Sequence, residues 1–290
     1  MRYLRPAALL AASLVLLLAT DGTGVSTGAA APAAVAVPRI RAVALHDRAA
    51  PPRIRDTWSG PAFDVCTAPP LDTLRAWHGT SPYGAVGIYT SGSQRGCGQS
   101  RLTAEWVRQA RAMGWRFLPV HVGLQAPCAD PSRKPKRIDP AKAVEQGRDE
   151  ADEAARALRS LGFGAGSPVY LDIEAYPMHD PACGQAVVEF TLGWTQALHS
   201  AGYRSGFYSS LESGIADLAA AARAGSSPVP DALWYARWDD RADTAGSGAL
   251  DPDLWNLHQR VHQHRGNVAE TYGGAALTID RNQADGPTAD

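Results

Sequence analysis

Hydrophobic and polar positions follow two alternating periods from about residue 60 onward. Short runs rich in β-branched and aromatic residues alternate with longer stretches whose apolar residues recur at helical spacing, an order typical of repeated βα units around a parallel sheet. The runs predicted as strands cover residues 62–65, 85–90, 116–122, 169–174, 204–208, 232–237, 254–262 and 276–280. Eight is the strand number of a closed barrel. The pattern therefore predicts an α/β protein with a TIM-like (β/α) barrel.

The intervening helices have recognisable starts in the first half of the chain. One helix is predicted to begin at Thr103 and a second with Asp139 as its N-cap, because these side chains accept hydrogen bonds from a first helical turn. An apolar stripe from Val187 to Leu198 predicts a third helix. Residues 239–252 are rich in Asp and Gly and show no helical period. The second half of the barrel is therefore expected to lack one or two helices.

The N-terminal segment has the composition of a secretory signal peptide. Arg2 and Arg5 precede an apolar run and an Ala-rich stretch, and the best cleavage signal ends at Ala36. An uncleaved membrane anchor is the alternative interpretation. We expect a secreted, extracellular protein, and cell-wall association is compatible with that location. The predicted organisation is a signal peptide at 1–36, a flexible linker or arm at 37–59, the barrel domain at 60–285 and a tail at 286–290.

The charge balance narrows the classes of partner. The chain has 28 Lys and Arg against 29 Asp and Glu side chains, a net charge of −1, so nucleic acid is not the expected partner. The basic run at residues 133–137 is interpreted as a solvated loop. No specific protein partner is inferred, and the expected state is a monomer.

Four cysteines are spread through the predicted domain: Cys66, Cys97, Cys128 and Cys183. An even number in an exported chain favours two disulfides, and the wide spacing lacks the close pair usual in zinc sites. Three connectivities are possible. We favour Cys66 with Cys97 and Cys128 with Cys183, because neighbouring strand ends would bring these pairs within bonding distance.

The strongest chemical signal is a carboxylate pair, Asp172 and Glu174, on the predicted fourth strand. Alternate residues of a strand share a face, with their Cα atoms about 6.7 Å apart. Catalytic residues of barrels lie at the carboxyl ends of strands. Because close carboxylates raise one pKa, we expect Glu174 to be protonated as a general acid and Asp172 to be ionised. The alternative is a structural pair bridged by arginine or backbone donors.

Two further acids end the first and last predicted strands, Asp64 and Asp280. First and last strands are neighbours in a closed barrel, so these side chains are expected beside each other, across the mouth from Glu174. Together the four acids predict an acidic bowl. Taken singly, each strand-ending Asp is equally well explained as a cap of the following turn.

Aromatic residues cluster near the same strand ends. Flat rings with polar edges suit the faces of sugars, and the residues predicted to bind substrate this way are Tyr89, Tyr208, Trp234 and Trp238. Core packing is the alternative and is expected for Tyr170. The His-rich run at residues 257–264 is interpreted as a polar strand face rather than a metal site. No metal and no cofactor is predicted.

Six motifs in order resemble a known family: Phe63-Asp64-Val65-Cys66, Gly87-Ile88-Tyr89, Leu171-Asp172-Ile173-Glu174, Gly206-Phe207-Tyr208-Ser209, Leu233-Trp234-Tyr235-Ala236 and Ile279-Asp280-Arg281-Asn282. In this arrangement, over residues 60–285, the chain resembles a secreted glycoside-hydrolase-like domain of unknown function. That family is itself similar to the family 25 lysozymes, which are muramidases with an incomplete barrel. The resemblance implies a polysaccharide ligand of the peptidoglycan type.

The resemblance also implies roles for individual residues. Glu174 matches the lysozyme acid, Asp172 the carboxylate that assists at the anomeric centre or holds the acetamido group of the substrate, and Asp64 and Asp280 the flanking acids. Gln259 is assigned to substrate binding, although the His-rich run around it departs from the Trp-Gln-Tyr-like pattern usual in the lysozymes. We expect no cell-wall-binding repeats after the barrel, which is a second departure from the lysozymes.

Three functions remain open at the level of sequence. The leading hypothesis is a glycoside hydrolase that acts on a cell-wall or related amino-sugar polysaccharide by carboxylate acid/base catalysis. The main alternative is a non-catalytic glycan-binding barrel that keeps the cleft. A third is a metal-dependent hydrolase or deacetylase.

Overall fold

The computed structural model describes residues 40–46, 50–54, 56–132 and 134–289. The predicted signal peptide lies outside the described residues. Eight strands form a closed barrel in sequence order. They are β1 Thr57–Asp64, β2 Ala85–Ser91, β3 Arg116–His121, β4 Pro168–Asp172, β5 Arg204–Ser210, β6 Ala232–Ala236, β7 Arg260–Tyr272 and β8 Ala275–Pro287. The predicted barrel is therefore confirmed.

The last strand runs against its neighbours. Strands β1 to β7 pair in parallel along the series, whereas β8 is antiparallel to both β7 and β1. A tight turn through Gly273 and Gly274, with φ of 55° and 80°, joins β7 directly to β8. A turn of two residues forces an antiparallel hairpin, since a parallel crossover needs a dozen or more residues. The expectation of a wholly parallel sheet is wrong for β8.

Helices accompany only the first part of the barrel. They are α1 Leu71–Trp77, α2 Ala104–Ala112, α3 Ala143–Ser160, α4 Pro181–Ser200 and α5 Gly214–Arg223. Among the described residues, no α-helix separates β6 from β7 or β7 from β8, which confirms the expected loss of helices in the second half. No helix in this part of the chain is both long and apolar enough to cross a membrane.

The predicted helix starts are close to the observed ones. The Thr103 side chain accepts a hydrogen bond from the backbone N–H of Trp106 and caps α2, as expected. Asp139 caps a 3₁₀ turn, Pro140–Lys142, which leads directly into α3. The α-helix therefore begins at Ala143, three residues later than a cap at Asp139 predicts.

The seventh strand begins later than predicted, at Arg260 rather than at residue 254. The preceding segment turns instead, with positive φ at Trp255 and His258. Trp255 is buried and donates a hydrogen bond from its indole nitrogen to the carbonyl of Pro230. The apolar residues of this segment imitate a strand pattern in the sequence. In the structure they lie in a turn, where Trp255 is buried and Leu257 is 74% exposed.

Two layers of side chains form the core. Leu118, Tyr170 and Trp234 fill the inside of the barrel, whereas Phe117 and Trp194 belong to the larger cluster between the barrel and its helices. The alternation continues along β4, so that Tyr170 and Asp172 share the inner face. Because inner positions near the carboxyl ends of strands open into the mouth, polar residues there become site candidates.

Both predicted disulfides are confirmed. Cys66 is bonded to Cys97 and Cys128 to Cys183, with Cα separations of 5.7 and 5.9 Å. The first bond joins the loop after β1 to the loop after β2, and the second joins the loop after β3 to the start of α4. Both cross-links therefore fix loops at the mouth of the barrel.

The ends of the predicted domain lie within packed structure. Strand β1 begins at Thr57, and β8 extends to Pro287. In the segment interpreted as a flexible linker, Val43 and Leu45 pack against a cluster that involves α4 and α5. The backbone N–H of Leu45 also donates a hydrogen bond of 2.7 Å to the carbonyl of Ser227.

Candidate functional site

A cleft of about 610 Å³ opens at the carboxyl ends of the strands. The four predicted acids, Asp64, Asp172, Glu174 and Asp280, all line it, and Tyr89 lies on the same wall. The structure therefore brings together the acidic bowl expected from the sequence. The β7–β8 hairpin contributes Asn267 and the residues from Leu277 to Asp280 to the lining of the cleft.

Asp64 is buried at the base of the cleft. Its Oδ1 accepts a hydrogen bond from the Tyr89 hydroxyl at 3.0 Å, and its Oδ2 accepts from the side-chain amides of Asn282 and Gln263 at 2.8 and 3.1 Å. Burial and the nearby charge of Asp280 raise the pKa of Asp64 to about 7, although the hydrogen bonds oppose that rise. Asp64 can therefore gain or lose a proton near neutral pH.

Asp280 lies beside Asp64 but is more open to solvent. Its Oδ1 accepts a 2.6 Å hydrogen bond from the backbone N–H of Asn267. Burial raises the pKa of Asp280, the Asn267 hydrogen bond lowers it, and the charge of Glu174 raises it again. The side chain is thus an acid held in place by the irregular part of β7.

The two members of the carboxylate pair occupy different environments. Asp172 is the last residue of β4 and is only 4% exposed, and its Oδ1 has no hydrogen-bond partner. Burial raises the pKa of Asp172 to about 8, with a further contribution from the charge of Glu174 and an opposing one from Lys134. The Glu174 side chain is 45% exposed and forms an ion pair with Lys134.

The structure makes Asp172 the better candidate for the protonated acid. We expected Glu174 to carry the proton, but the buried carboxyl with the raised pKa is Asp172. The reason is that β4 ends at Asp172, so Glu174 lies two residues beyond the strand and reaches solvent. Desolvation, which favours the neutral acid, acts most strongly on the deeper residue.

Gln125 positions the segment that carries both acids. Its side-chain amide donates to the carbonyl of Asp172 at 2.9 Å, and its side-chain oxygen accepts from the backbone N–H of Glu174 at 2.8 Å. These two bonds satisfy backbone groups that the end of β4 would otherwise leave without partners. Sequence reasoning missed Gln125, since its role depends on a neighbouring loop.

Lys134 is a second residue that the sequence analysis misjudged. It belongs to the basic run interpreted as a solvated loop, yet its side chain is only 19% exposed and contacts Glu174 in the cleft. The available signal was its place in the loop after β3, next to the acid-bearing strand. The loop thus supplies a cation to the acidic site.

The predicted aromatic residues separate into mouth and core positions. Tyr89 lines the cleft, and Tyr208 donates a hydrogen bond to Gln263. Burial and the nearby acids raise the pKa of both tyrosine hydroxyls. Trp234 is 1% exposed inside the barrel, where its indole nitrogen donates to Asn282 at 2.7 Å, so its assignment to substrate binding stays a prediction that this position does not support. Trp238 is 59% exposed.

Gln259, also predicted to bind substrate, is not among the residues that line the cleft. It precedes β7 and donates to the carbonyl of Asp231 at 2.6 Å, away from the mouth. The later start of β7 gives that position to Gln263, which is buried near the mouth end of the barrel pairing. Its side-chain nitrogen donates hydrogen bonds to Asp64 and Asp280. Its side-chain oxygen accepts hydrogen bonds from Tyr208 and Trp238.

The His-rich run does not converge on a common point. His258 pairs with Asp285, whereas both ring nitrogens of His262 face backbone carbonyls, those of Asp243 and Arg237. Among the described residues, one group could offer three closely spaced metal ligands: Cys128, Asp180 and Cys183. Its two sulfurs are joined in a disulfide and so are not available as thiolates.

Comparison with known proteins identifies relatives by sequence and by fold. Residues 75–284 match the sequence model of a family described as Rv2525c-like, glycoside hydrolase-like domain. No curated protein matches the chain.

Several solved structures align with this chain. An uncharacterized protein of B. stearothermophilus aligns with a TM-score of 0.51 and 18% identity over 77% of this chain and 95% of that one. The Clostridium perfringens spore cortex lytic enzyme SleM aligns with a TM-score of 0.50 and 16% identity, over 78% and 67%. A muramidase from Acremonium alcalophilum aligns with a TM-score of 0.44 and 19% identity, over 78% and 93%.

Proposed function

Because the chain belongs to the Rv2525c-like, glycoside hydrolase-like domain family, we propose that it cleaves a glycosidic bond in an amino-sugar polysaccharide of the peptidoglycan type. The observation that carries this proposal is the pairing of a buried and an exposed carboxyl, Asp172 and Glu174, in one cleft. Glycoside hydrolysis requires two carboxyl groups in opposite protonation states.

In this proposal Asp172 donates the proton to the leaving sugar oxygen. A general acid must be protonated at the working pH, and the raised pKa of Asp172 meets that requirement at pH 7. Its Oδ1 makes no hydrogen bond within the protein, so the carboxyl group is not committed to another partner through that atom. Asp172 lines the cleft despite its depth.

Glu174 supplies the negative charge at the sugar. Its carboxylate faces the open cleft and forms an ion pair with the ammonium group of Lys134. An ionised carboxylate can stabilise the positive charge that develops at the anomeric carbon or activate water there. Asp64 of β1 and Asp280 of β8 line the same cleft and add further acidic groups to it.

Two further observations bear on location and substrate. Disulfides such as Cys66–Cys97 and Cys128–Cys183 form in oxidising compartments, which supports action outside the cytoplasm. SleM, whose name describes a spore cortex lytic enzyme, shares the fold. Both points agree with an exported enzyme that acts on a cell-wall glycan.

Turnover on purified peptidoglycan and on soluble amino-sugar oligomers, with mass spectrometry of the products, tests the proposal. We expect Asp172→Asn and Glu174→Gln each to abolish product formation, because Asn cannot donate the proton and Gln carries no charge. Asp72→Asn and Glu145→Gln, at exposed sites on α1 and α3, are the matched controls. Wild-type turnover in the Asp172 and Glu174 variants would reject the assignment.

The second candidate is a glycan-binding barrel without turnover. The ion pair between Lys134 and Glu174 favours it, since an ammonium group already neutralises the outward-facing carboxylate. In that case the wild-type protein binds the oligomers and releases no product, and Glu174→Gln leaves binding in place.

A further inference from the structure

Trp238 is an exposed aromatic side chain that is nevertheless fixed in position. It follows β6 and is 59% exposed. Its indole nitrogen donates a hydrogen bond of 3.1 Å to Oε1 of Gln263. The backbone on either side is also held, since the N–H groups of Arg237 and Asp240 donate to the carbonyls of Gln263 and His264.

The irregular part of β7 provides the surface on which the Trp238 ring rests. The register of β7 against β8 shifts between Gln263 and Arg265 and again between Arg265 and Val268. Gly266 lies in this stretch, and a Cβ atom there would stand 2.1 Å from Cζ2 of Trp238. The close approach of the ring thus requires glycine at position 266.

The same irregularity also builds the acidic wall. The backbone N–H of Asn267, the residue after Gly266, donates to Asp280 at 2.6 Å. Irregular pairing of this kind sacrifices ladder hydrogen bonds and is frequent beside active sites, where it redirects side chains. Here one irregular stretch of β7 both holds Asp280 through the N–H of Asn267 and makes room for the Trp238 ring at Gly266.

Gln263 connects Trp238 to the base of the cleft. Its side-chain oxygen accepts hydrogen bonds from Trp238 and Tyr208. Its side-chain nitrogen donates to Asp64 at 3.1 Å. Trp238 itself lies outside the group of residues that line the cleft. The ring is therefore adjacent to the acids, separated from them by one buried glutamine.

We propose that Trp238 forms a second glycan subsite, a fixed aromatic platform on which a pyranose ring stacks outside the acidic cleft. The inference rests on the proposed function and deepens it, because two subsites make the ligand an oligomer or polymer rather than a single sugar. A pyranose presents one apolar face of C–H groups and a rim of hydroxyls, which matches an exposed ring with a polar edge. A platform fixed before binding loses little side-chain entropy when the sugar arrives.

Other exposed apolar residues lack these features. Leu257 is 74% exposed and Met178 is 55% exposed. Leu257 lies in the turn before β7, whereas Gln263 lies at the opposite, mouth end of the short pairing of β7 with β6. Single exposed apolar residues are normal on protein surfaces, so Leu257 is a suitable comparison for Trp238.

The test compares binding of a β-1,4-linked N-acetylglucosamine hexamer and dimer by isothermal titration calorimetry, with Glu174→Gln as the background so that no ligand is consumed. Trp238→Ala is expected to lower the ratio of hexamer to dimer affinity on the order of tenfold, the size of one aromatic contact. Gly266→Ala, which displaces the ring without removing it, should have a similar effect. Trp238→Phe keeps an aromatic ring but lacks the indole N–H donor. Its ratio of hexamer to dimer affinity should lie between the ratios measured with tryptophan and with alanine at this position.

Leu257→Ala is the control and should leave the ratio as it is. An unchanged ratio in Trp238→Ala, with an unchanged circular dichroism spectrum, overturns the second subsite while leaving the proposed hydrolysis intact. Equal losses for dimer and hexamer also overturn it, because Trp238 then acts only through Gln263. If neither the wild-type protein nor the background variant binds either oligomer, the proposed function fails together with the inference.

Discussion

Asp64 of β1 and Asp280 of β8 are direct partners in the antiparallel register that closes the barrel. This pairing places two carboxyl groups side by side at the base of a cleft. Burial and the charge of Asp280 raise the pKa of Asp64 to about 7. The closure of the barrel therefore creates a site whose protonation changes near neutral pH.

The free energy of unfolding should fall as pH rises from about 4 to 8. The folded pKa values of Asp64 and Asp172, about 7 and about 8, lie above the ordinary 3.8. The folded state therefore binds more protons, and this stabilisation is complete below pH 4 and lost as the pH rises through 7 to 8. Urea denaturation at a series of pH values measures the slope.

Asp64→Asn isolates the contribution of one group, because Asn resembles the protonated acid. The variant should be at least as stable as the wild-type protein at pH 8, with a smaller pH slope. Asp72→Asn, at an exposed position, should keep the wild-type slope. Parallel slopes in the Asp64 variant and the wild-type protein would show that the acid does not titrate as described.

Lys134→Met should raise the pKa of Asp172 further. The positive charge of Lys134 opposes the rise of this pKa, so removing the charge favours the protonated acid. Carbon-13 NMR titration of the carboxyl groups measures the change without any assay of turnover. If hydrolysis occurs, its decline at high pH should move to higher pH in the variant.

Lys142→Met is the matched control for that experiment, since Lys142 is exposed at the start of α3. It should leave the Asp172 titration where it is. A titration of Asp172 that is the same in Lys134→Met and in the wild-type protein would mean that the ion pair with Glu174 does not influence the buried acid.

Gln263→Leu should destabilise the protein by about 1–3 kcal/mol, the cost of leaving buried polar groups without partners. The substitution removes the acceptor of Tyr208 and a donor to Asp64. It should also weaken oligomer binding at the mouth. Gln259→Leu removes a hydrogen bond just before β7, at the end of the β6–β7 pairing away from the mouth, and should not affect binding. Equal effects of the two variants on binding would contradict the placement of Gln263 in the site.

Loss of the Cys66–Cys97 disulfide should lower the free energy of unfolding by roughly 3–4 kcal/mol, as expected for a loop of this size. The bonded residues are 31 positions apart. Because Cys66 lines the cleft, the double variant Cys66→Ala/Cys97→Ala should also weaken glycan binding. Denaturation curves and titration calorimetry check the two effects separately, and an unchanged midpoint would contradict the structural role.

The sequence predicted the parts of this site that follow from strand order. Asp64 and Asp280 could be paired in advance, because first and last strands meet in any closed barrel. Asp172 and Glu174 were assigned to one site by their spacing. Their different burial could not be foreseen, since it depends on β4 ending at Asp172 rather than two residues later.

The errors concern interactions between distant parts of the chain. The assignment of Gln259 to substrate binding follows the resemblance, whereas the structure places Gln263 at the mouth, because the segment around Trp255 turns and β7 begins only at Arg260. Lys134 was assigned to solvent because a basic run usually forms a charged surface. Its contact with Glu174 depends on the path of a loop, which local patterns do not determine.

The antiparallel course of β8 also decides how the protein can be attached to a support. Since β8 runs away from the mouth, Thr288 and Ala289 lie at the far end of the barrel, where they bond to Asp56 and Phe117. A tether joined after Ala289 would leave the cleft facing outward. Such immobilised protein offers a direct way to capture long glycan strands, because the bulk of the polymer does not have to pass the anchoring surface.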